Sequence, residues 1–361
     1  MDQGTTARPE LDIRPHPRQT DYGIGIIGCG WVVKNYHIPA YQARGLNVVA
    51  VADLKPEELD FVRDKFGIGR CFRDYREMLE LPEVQIIDLS TRTPGRVEIV
   101  EQCAAAGKHL LVQKPFARSM DEGRAMVAAA NRAGVKLGVN SHYRWLNVFR
   151  GAWQLIRQGV IGDIYYISEE MVGDQDRVYY EVMHDRRWNA ELDDFMNVEW
   201  GAHHFDFLRF WTGETPSSVY CSGTRRPGQS FKGPLAMSFC VNFPDGVVAS
   251  LAMNQTSVCP TGRWSFRIDG TKGVIEGYPF STLKLMSRDY GDEWIEWDLT
   301  GPGDQVRDDS YLGTMGDLMD AITDSRPHVS SGEDNLNTVR AYLAGYRSYR
   351  ERRLVHVDEI I

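Results

Sequence analysis

The segment Ile24-Gly25-Ile26-Ile27-Gly28-Cys29-Gly30-Trp31 is the feature that most constrains how this chain can fold. An apolar run stops abruptly at Gly28 and Gly30, which is typical of a strand that turns directly into a helix. Glycines at such a turn let the backbone approach a pyrophosphate, and the free N–H groups of the helix favour an anion. Val33 occupies the position of the third small residue of the Gly-x-Gly-x-x-Gly motif. The same two glycines would also suit a turn that has only a structural role.

A second apolar run, residues 48–53, strengthens the nucleotide interpretation because it ends in Asp53, 23 residues after Gly30. A carboxylate placed there accepts hydrogen bonds from ribose hydroxyls and repels a 2′-phosphate. Leu54 offers no guanidinium for such a phosphate, and Lys55 is a weak counter-charge. The sequence therefore predicts NAD as the cofactor, in preference to NADP.

A literal Gly-x-Gly-x-x-Gly also occurs, at Gly23, Gly25 and Gly28. Its first two glycines lie inside the predicted strand and cannot cradle a phosphate, so we assign the turn to the later pair. Trp31 and Val32, which open the following helix, are then candidate cofactor contacts.

Composition limits the possible partners. The chain has 361 residues, 42% of them hydrophobic and 25% charged, which is typical of a globular protein of about two domains. A net charge of −9 argues against nucleic acid and anionic membranes as partners. The six cysteines form no C-x-x-C pair, and neither a disulfide framework nor a zinc ribbon follows. Residues 1–21 contain no apolar leader segment, and we expect an extended arm on a cytoplasmic protein.

The pattern of apolar runs predicts an α/β protein with two domains. In residues 22–142, short apolar runs alternate with helical patterns, which predicts a doubly wound parallel sheet, the Rossmann fold. In residues 143–361, one helix precedes a series of strands joined by hairpin signals such as Pro244-Asp245-Gly246, and two helical stretches follow. We expect an α+β domain with an open, mainly antiparallel sheet that binds substrate and forms oligomers.

The expected oligomerisation follows from strand alternation. Met237, Phe239, Val241 and Phe243 put bulky side chains on one face, and the residues between them are small or polar. If helices cover only the bulky face, the other is broad enough to meet a ligand or a second copy of the chain. The sequence thus predicts a homo-oligomer, either a dimer or a tetramer.

Two segments carry candidate catalytic groups for hydride transfer, which needs an acid-base group and a group that orients oxygen. The first is Gln113-Lys114-Pro115, at the end of the predicted strand over residues 109–112, where parallel sheets bind ligands. A lysine that merely extends to solvent is the alternative for Lys114. The second is residues 199–206, where helical spacing would bring Glu199, His203 and Asp206 to one face and turn His204 away.

His203 can shuttle a proton, and a flanking carboxylate such as Glu199 can orient its ring. A purely structural histidine is an equally open interpretation of His203 at this stage. A metal site is the competing hypothesis for the segment, but no further His or Cys stands at ligand spacing. We therefore predict no metal.

These motifs resemble the glucose-fructose oxidoreductase and inositol dehydrogenase (Gfo/Idh/MocA) family over nearly the whole chain, from Gly23 onwards. The turn followed by His37-Ile38-Pro39 is similar to the opening of that family, and Thr91–Pro94 is similar to its loop beside the cofactor. Gln113-Lys114-Pro115 resembles its Glu-Lys-Pro signature. The spacing of Glu199, Gly201, His203 and Asp206 resembles its Asp-x-Gly-x-His-x-x-Asp pattern.

The resemblance implies an NAD-dependent oxidoreductase of a secondary hydroxyl in a sugar, polyol or glycoside, with C3 of a glycoside as one variant. It implies that Lys114 and His203 are catalytic, and Glu199 would orient His203. Candidate cofactor contacts, with the turn and Asp53, are Thr91, Thr93, Pro94, Gln113 and Lys114. Candidate substrate contacts are Arg144, Trp188, Asn189 and His204.

The chain departs from the family pattern at Gln113, where the signature has glutamate, at Glu199, where it has aspartate, and at Glu98, where it often has histidine. The identity of the substrate therefore does not transfer. The alternative function is a non-catalytic protein of the same fold that binds nucleotide and sugar to regulate a partner. Retention of both Lys114 and His203 argues against that alternative.

Overall fold

A computed structural model describes residues 8–258, 262–291, 293–301 and 305–361. The chain divides into two compact units. One consists of Arg14–Trp145 with Asp304–Val339, and the other of Met1–Ile13, Leu146–Gly303 and Arg340–Ile361. The predicted boundary after residue 142 lies three residues before the point, after Trp145, at which the chain passes from the first unit to the second, and the chain also passes between the units after residues 13, 303 and 339.

The first unit contains a six-stranded, fully parallel sheet. Its strand order, β3-β2-β1-β4-β5-β6, is that of the Rossmann fold and confirms the predicted α/β class. The strands are β1 (Ile24–Ile27), β2 (Val48–Ala52), β3 (Cys71–Phe72), β4 (Ile86–Leu89), β5 (His109–Gln113) and β6 (Leu137–Asn140). The helices are α1 (Ile38–Ala43), α2 (Pro56–Phe66), α3 (Tyr75–Leu79), α4 (Arg96–Ala105) and α5 (Met120–Ala133).

The helix α5 begins and ends as its sequence dictates. The Ser119 hydroxyl accepts the Glu122 N–H at 3.2 Å, which caps the first turn. Gly134 adopts φ +67° and ends the helix in a left-handed conformation. A π-helical turn, Val33–His37, precedes α1 and ends before Pro39, which has no N–H for the regular ladder.

The second unit contains a nine-stranded sheet, ordered β14-β13-β12-β11-β7-β10-β9-β8-β15. All neighbours are antiparallel except β7 and β10, so the predicted mainly antiparallel sheet is confirmed. The strands are β7 (Ile164–Val172), β8 (Ser218–Thr224), β9 (Ala236–Asn242), β10 (Val248–Asn254), β11 (Arg263–Gly270), β12 (Gly273–Tyr278), β13 (Thr282–Ser287), β14 (Ile295–Asp298) and β15 (Val355–His356).

The remaining helices are α6 (Asn147–Arg157), α7 (Gln175–Arg177), α8 (Gly201–Thr212), α9 (Gln305–Thr323) and α10 (Gly332–Glu351). Two more π-helical turns span Val178–Val182 and Met196–Trp200. Short 3₁₀ helices span His142–Trp145, His184–Glu191 and Val357–Glu359. Across the part of the chain that the structure describes, no helix has both the length and the apolarity to cross a membrane.

Helix α9 belongs to the first unit because its apolar side chains complete that unit's core. Tyr311, Leu312, Met315, Leu318 and Met319 are buried together with side chains of β1, α1 and β2. The sequence placed this helix in the second domain, and the structure differs because tertiary packing, which local periodicity does not reveal, decides where an amphipathic helix lies.

The described part of the N-terminal arm, residues 8–21, contains no helix or strand, and the first seven residues lie outside the described residues. The Asp12 N–H donates to Gln154 Oε1 of α6 at 2.9 Å. Further on, the Arg18 N–H donates to Asp320 Oδ1 of α9 at 3.1 Å. Each of these two hydrogen bonds joins a part of the arm to a helix of the same unit.

Candidate active site

The turn after β1 has the geometry that a nucleotide loop requires. Gly28 has φ +94°, and a Cβ there would lie 3.0 Å from the carbonyl carbon and oxygen of Ser90. Only glycine satisfies both conditions without strain. Gly30 is exposed and has open space where a Cβ would be, which leaves room for a ligand. Trp31 and Val32 follow as half-buried residues at the start of the helical segment.

The other two glycines of the literal motif serve the strand instead. A Cβ on Gly23 would lie 1.8 Å from the Glu83 carbonyl oxygen, and one on Gly25 would lie 2.9 Å from a methyl group of Val84. Gly25 lies inside β1, as predicted, whereas Gly23 directly precedes the strand, and at both positions a neighbouring segment leaves no room for a Cβ.

Asp53 directly follows β2 and is hydrogen-bonded to the nucleotide turn. Its Oδ2 accepts the Cys29 N–H at 2.7 Å, and its Oδ1 accepts the Lys55 N–H at 2.9 Å. Each carboxylate oxygen has a further lone pair with which to accept a ribose hydroxyl. Burial and the neighbouring Asp53 charge raise the pKa of the Cys29 thiol, so this cysteine stays protonated and is no nucleophile.

Arg96, which the sequence analysis missed, organises the loop after β4. Arg96 is 2% exposed, and its guanidinium donates to the carbonyl oxygens of Thr91 on that loop, of Gln113 at the end of β5, and of Pro115 and Phe116 after β5. The cation thereby joins the two loops that carry candidate cofactor contacts. Thr93 is buried, Thr91 half-buried and Pro94 exposed. No local spacing distinguishes Arg96 from a surface arginine, because its partners are distant in sequence.

Lys114 lies at the carboxyl end of β5, the sheet edge at which open parallel sheets bind ligands. Its side chain is half-buried, and its N–H donates to Oε1 of Gln113 at 2.8 Å. The Lys114-Pro115 peptide bond is cis. The predicted cofactor residues of the turn, the β4 loop and the β5 end therefore share one edge of the sheet.

In the second unit, Glu199, His203 and Asp206 are all at least nine-tenths buried. Glu199 lies in the π-helical turn Met196–Trp200, and the two others lie on α8. The expected regular α-helical spacing from Glu199 to His203 is therefore wrong in detail, because the wider turn shifts Glu199 relative to α8.

His204 is fully buried against the sheet. Its Nδ1 lies 2.8 Å from Glu169 Oε2 on β7, and the Trp264 indole N–H donates to the other oxygen of Glu169 at 2.6 Å. The side chains of His204 and Glu169 are 0% and 1% exposed. The structure thus places this predicted substrate contact in a hydrogen-bonded core cluster.

The other predicted substrate contacts lie in different settings. Arg144 is nearly buried in the first unit, where it donates to Asp334 Oδ2 at 2.8 Å and to the Val329 carbonyl oxygen at 2.5 Å. Trp188 and Asn189 lie on the 3₁₀ helix His184–Glu191 of the second unit, with Trp188 half-buried. Asn189 is buried and donates to the Arg186 carbonyl oxygen at 2.8 Å. Among the described residues, no group of three His, Cys, Asp or Glu side chains is arranged to hold a metal ion.

Comparison with known proteins agrees with this geometry. Residues 22–141 match the family model described as the oxidoreductase family with an NAD-binding Rossmann fold, and residues 149–276 match the GFO/IDH/MocA C-terminal domain. The chain is 26% identical to a D-apiose dehydrogenase from Paraburkholderia graminis, over 93% of this chain and 89% of the relative.

Two solved structures show the same fold. An oxidoreductase from Agrobacterium radiobacter, solved with NAD⁺, L-tartaric acid and magnesium, has a TM-score of 0.85 at 22% identity and covers 95% of this chain and 100% of its own. A levoglucosan dehydrogenase solved with NADH and L-sorbose has a TM-score of 0.80 at 20% identity and covers 94% of this chain and 99% of its own.

The fold and the nucleotide turn define an NAD-dependent oxidoreductase. More specifically, the chain belongs to the Gfo/Idh/MocA family of oxidoreductases, since the two family models together cover more than half of it.

Proposed function

We propose that this protein oxidises a secondary hydroxyl of a sugar, polyol or glycoside and passes the hydride to NAD. The observation that carries the proposal is Lys114, a half-buried lysine at the carboxyl end of β5, on the sheet edge that also bears the nucleotide turn. The relatives that act on apiose or were solved with sorbose support the substrate class.

NAD, when bound, would accept the hydride at C4 of its nicotinamide. The turn at Gly28 and Gly30 would hold its pyrophosphate, and Asp53 would accept from the adenosine ribose. The residues fit this cofactor, because the turn leaves open space at Gly30 and the two oxygens of Asp53 keep acceptor capacity.

The roles of the catalytic residues follow from their chemistry. His203 would remove the hydroxyl proton, Lys114 would hold the oxygen by a charged hydrogen bond, and Glu199 would orient His203. The burial of His203 and Glu199 supports this assignment, because a low-dielectric environment strengthens each hydrogen bond. Trp188 is the remaining candidate for stacking on a sugar ring.

A panel of sugars, polyols and glycosides, including C3-blocked glycosides, tests the proposal by the appearance of NADH. Turnover of at least one member, with mass-spectrometric detection of its keto product, supports a dehydrogenase. Loss of turnover on blocking C3 identifies the glycoside variant. NAD and sugar binding without turnover by any member would instead support the regulatory alternative.

We also propose that the second unit forms a homo-oligomer through the exposed face of its sheet. Met237, Phe239 and Val241 of β9 are buried on the inner face, as the alternation predicted. On the outer face, Tyr220, Cys240 and Ala252 are exposed on adjacent strands. An uncharged strip across the neighbouring strands β8, β9 and β10 suits a second copy of the same sheet.

A further inference from the structure

A buried polar cluster lies at the carboxyl ends of β4, β5 and β6. Its members are His37, Tyr41, Asp88, Gln113 and Asn140. His37 Nδ1 is 2.7 Å from Asp88 Oδ2, and both side chains are fully buried. The same carboxylate accepts the Tyr41 hydroxyl at 2.8 Å. An ionised carboxylate only accepts, so Nδ1 of His37 carries a proton.

The opposite nitrogen of the His37 ring faces amide donors. The Gln113 amide is fixed in one orientation, because its Oε1 accepts the Lys114 N–H at 2.8 Å. The reverse orientation would place two donors against each other. Nε2 of Gln113 therefore points at Nε2 of His37, 3.2 Å away, and Nδ2 of Asn140 lies 3.3 Å from the same ring nitrogen. An amide nitrogen only donates, so Nε2 of His37 must be unprotonated.

We propose that Gln113 is a positioning residue for Lys114, held by a neutral His37 whose proton resides on Nδ1. This inference rests on the proposed function for the role of Lys114. The chain of hydrogen bonds runs from Asp88 through His37 to Gln113 and ends on the Lys114 main chain. It fixes the backbone from which the Lys114 side chain reaches the substrate, and misplacement of about 1 Å costs about a hundredfold in rate.

The cluster explains why glutamine, and not the glutamate of the family signature, suits this chain. A carboxylate at position 113 would present an acceptor to His37 Nε2 and would demand a second proton on the ring. Tyr41, Asp88 and the Tyr311 ring face His37 from the other elements packed against it, and Asp88 is the one charged group among them. Glutamine keeps position 113 neutral while Asp88 alone holds the negative charge.

Two variants separate the parts of this proposal. Gln113→Glu keeps an acceptor for the Lys114 N–H but presents a second acceptor to His37 Nε2, which then needs a proton. Gln113→Ala removes both contacts. Gln42→Ala, at an exposed glutamine on α1, is the matched control.

Nitrogen-15 NMR of the full-length, histidine-labelled protein reads the protonation of His37, with His37→Gln identifying its signals. The wild type should show a protonated Nδ1 and a bare Nε2 at neutral pH, and Gln113→Glu should show both nitrogens protonated. A wild-type ring protonated on Nε2 would overturn the assignment.

Amide hydrogen exchange of the Lys114 N–H measures, without any substrate, how firmly Gln113 holds the Lys114 main chain. Protection should be retained in Gln113→Glu and Gln42→Ala and should fall at least about tenfold in Gln113→Ala, as loss of about 1.4 kcal/mol would give. Unchanged protection in Gln113→Ala would overturn the positioning role.

Given an active substrate, Gln113→Ala should lower kcat more than it raises KM. An unchanged kcat with altered protection would count against the proposed function of Lys114 and leave the His37 assignment standing.

Discussion

The main-chain N–H of Cys29 donates to Asp53 Oδ2 at 2.7 Å, so the residue expected to read the cofactor ribose also closes the nucleotide turn. The bond links the end of β2 to the turn after β1. Any ligand that displaces the Asp53 carboxylate must therefore also disturb the loop that would hold its pyrophosphate. This coupling makes cofactor choice sensitive to a single side chain.

Asp53→Asn should weaken the preference for NAD over NADP. The amide keeps one oxygen as an acceptor but removes the charge that repels a 2′-phosphate, a repulsion of about 1–4 kcal/mol at about 4 Å. Calorimetric titration should show the ratio of the two affinities narrowing by about tenfold or more. A wild-type protein that binds NADP as tightly as NAD would show that Asp53 does not face the ribose.

Arg96→Met should destabilise the first unit and weaken NAD binding. The change leaves the carbonyl oxygens of Thr91, Gln113, Pro115 and Phe116 without this donor, at a cost of about 1–3 kcal/mol for each one left unsatisfied. Urea denaturation and NAD titration measure the two effects, with Arg132→Met, at an exposed arginine of α5, as the control. Equal behaviour of the two variants would show that Arg96 is dispensable for both loops.

His204→Ala should lower the free energy of unfolding by about 3 kcal/mol, because the buried Glu169 carboxylate then loses its His204 partner and keeps only the hydrogen bond from the Trp264 indole. Glu169→Gln should be milder, since His204 can exchange its protonated nitrogen to match an amide. NAD affinity should change in neither variant. If His204→Ala unfolds like the wild type but raises the KM for substrate manyfold, His204 contacts substrate, as the sequence suggested.

Light scattering should report a multiple of the 41.0 kDa chain at micromolar concentration. Ala252→Arg puts a charge on an exposed position of β10 and should shift the protein towards the monomer. A wild-type monomer would contradict the proposed interface. An oligomer unaffected by Ala252→Arg would place the interface elsewhere.

Sequence reasoning found the elements that local patterns specify. The alternation of short apolar runs with helical patterns predicted the parallel sheet that contains β1, β2, β4, β5 and β6. The two-residue strands β3 and β15 escaped, because such short pairings leave no periodic pattern.

The parts of the candidate site that the sequence did not predict depend on contacts between residues far apart in the chain. Arg96 meets carbonyl groups 17 to 20 residues further along the chain, and His37 meets Asp88 51 residues away. One local signal was present: Asp88 interrupts the apolar run Ile86–Leu89, and a charge inside a buried strand requires a partner. The partner itself becomes visible only in the folded structure.

The rate of hydride transfer in Lys114→Ala and His203→Ala tests the central claim most directly. With a substrate from the sugar panel, single-turnover absorbance of NADH should show each variant slowed by roughly two to four orders of magnitude. The double variant should be little slower than the worse single one, because groups acting as a unit are not additive, and NAD affinity should stay near that of the wild type. Wild-type rates in both single variants would contradict the assignment of Lys114 and His203 as the catalytic pair.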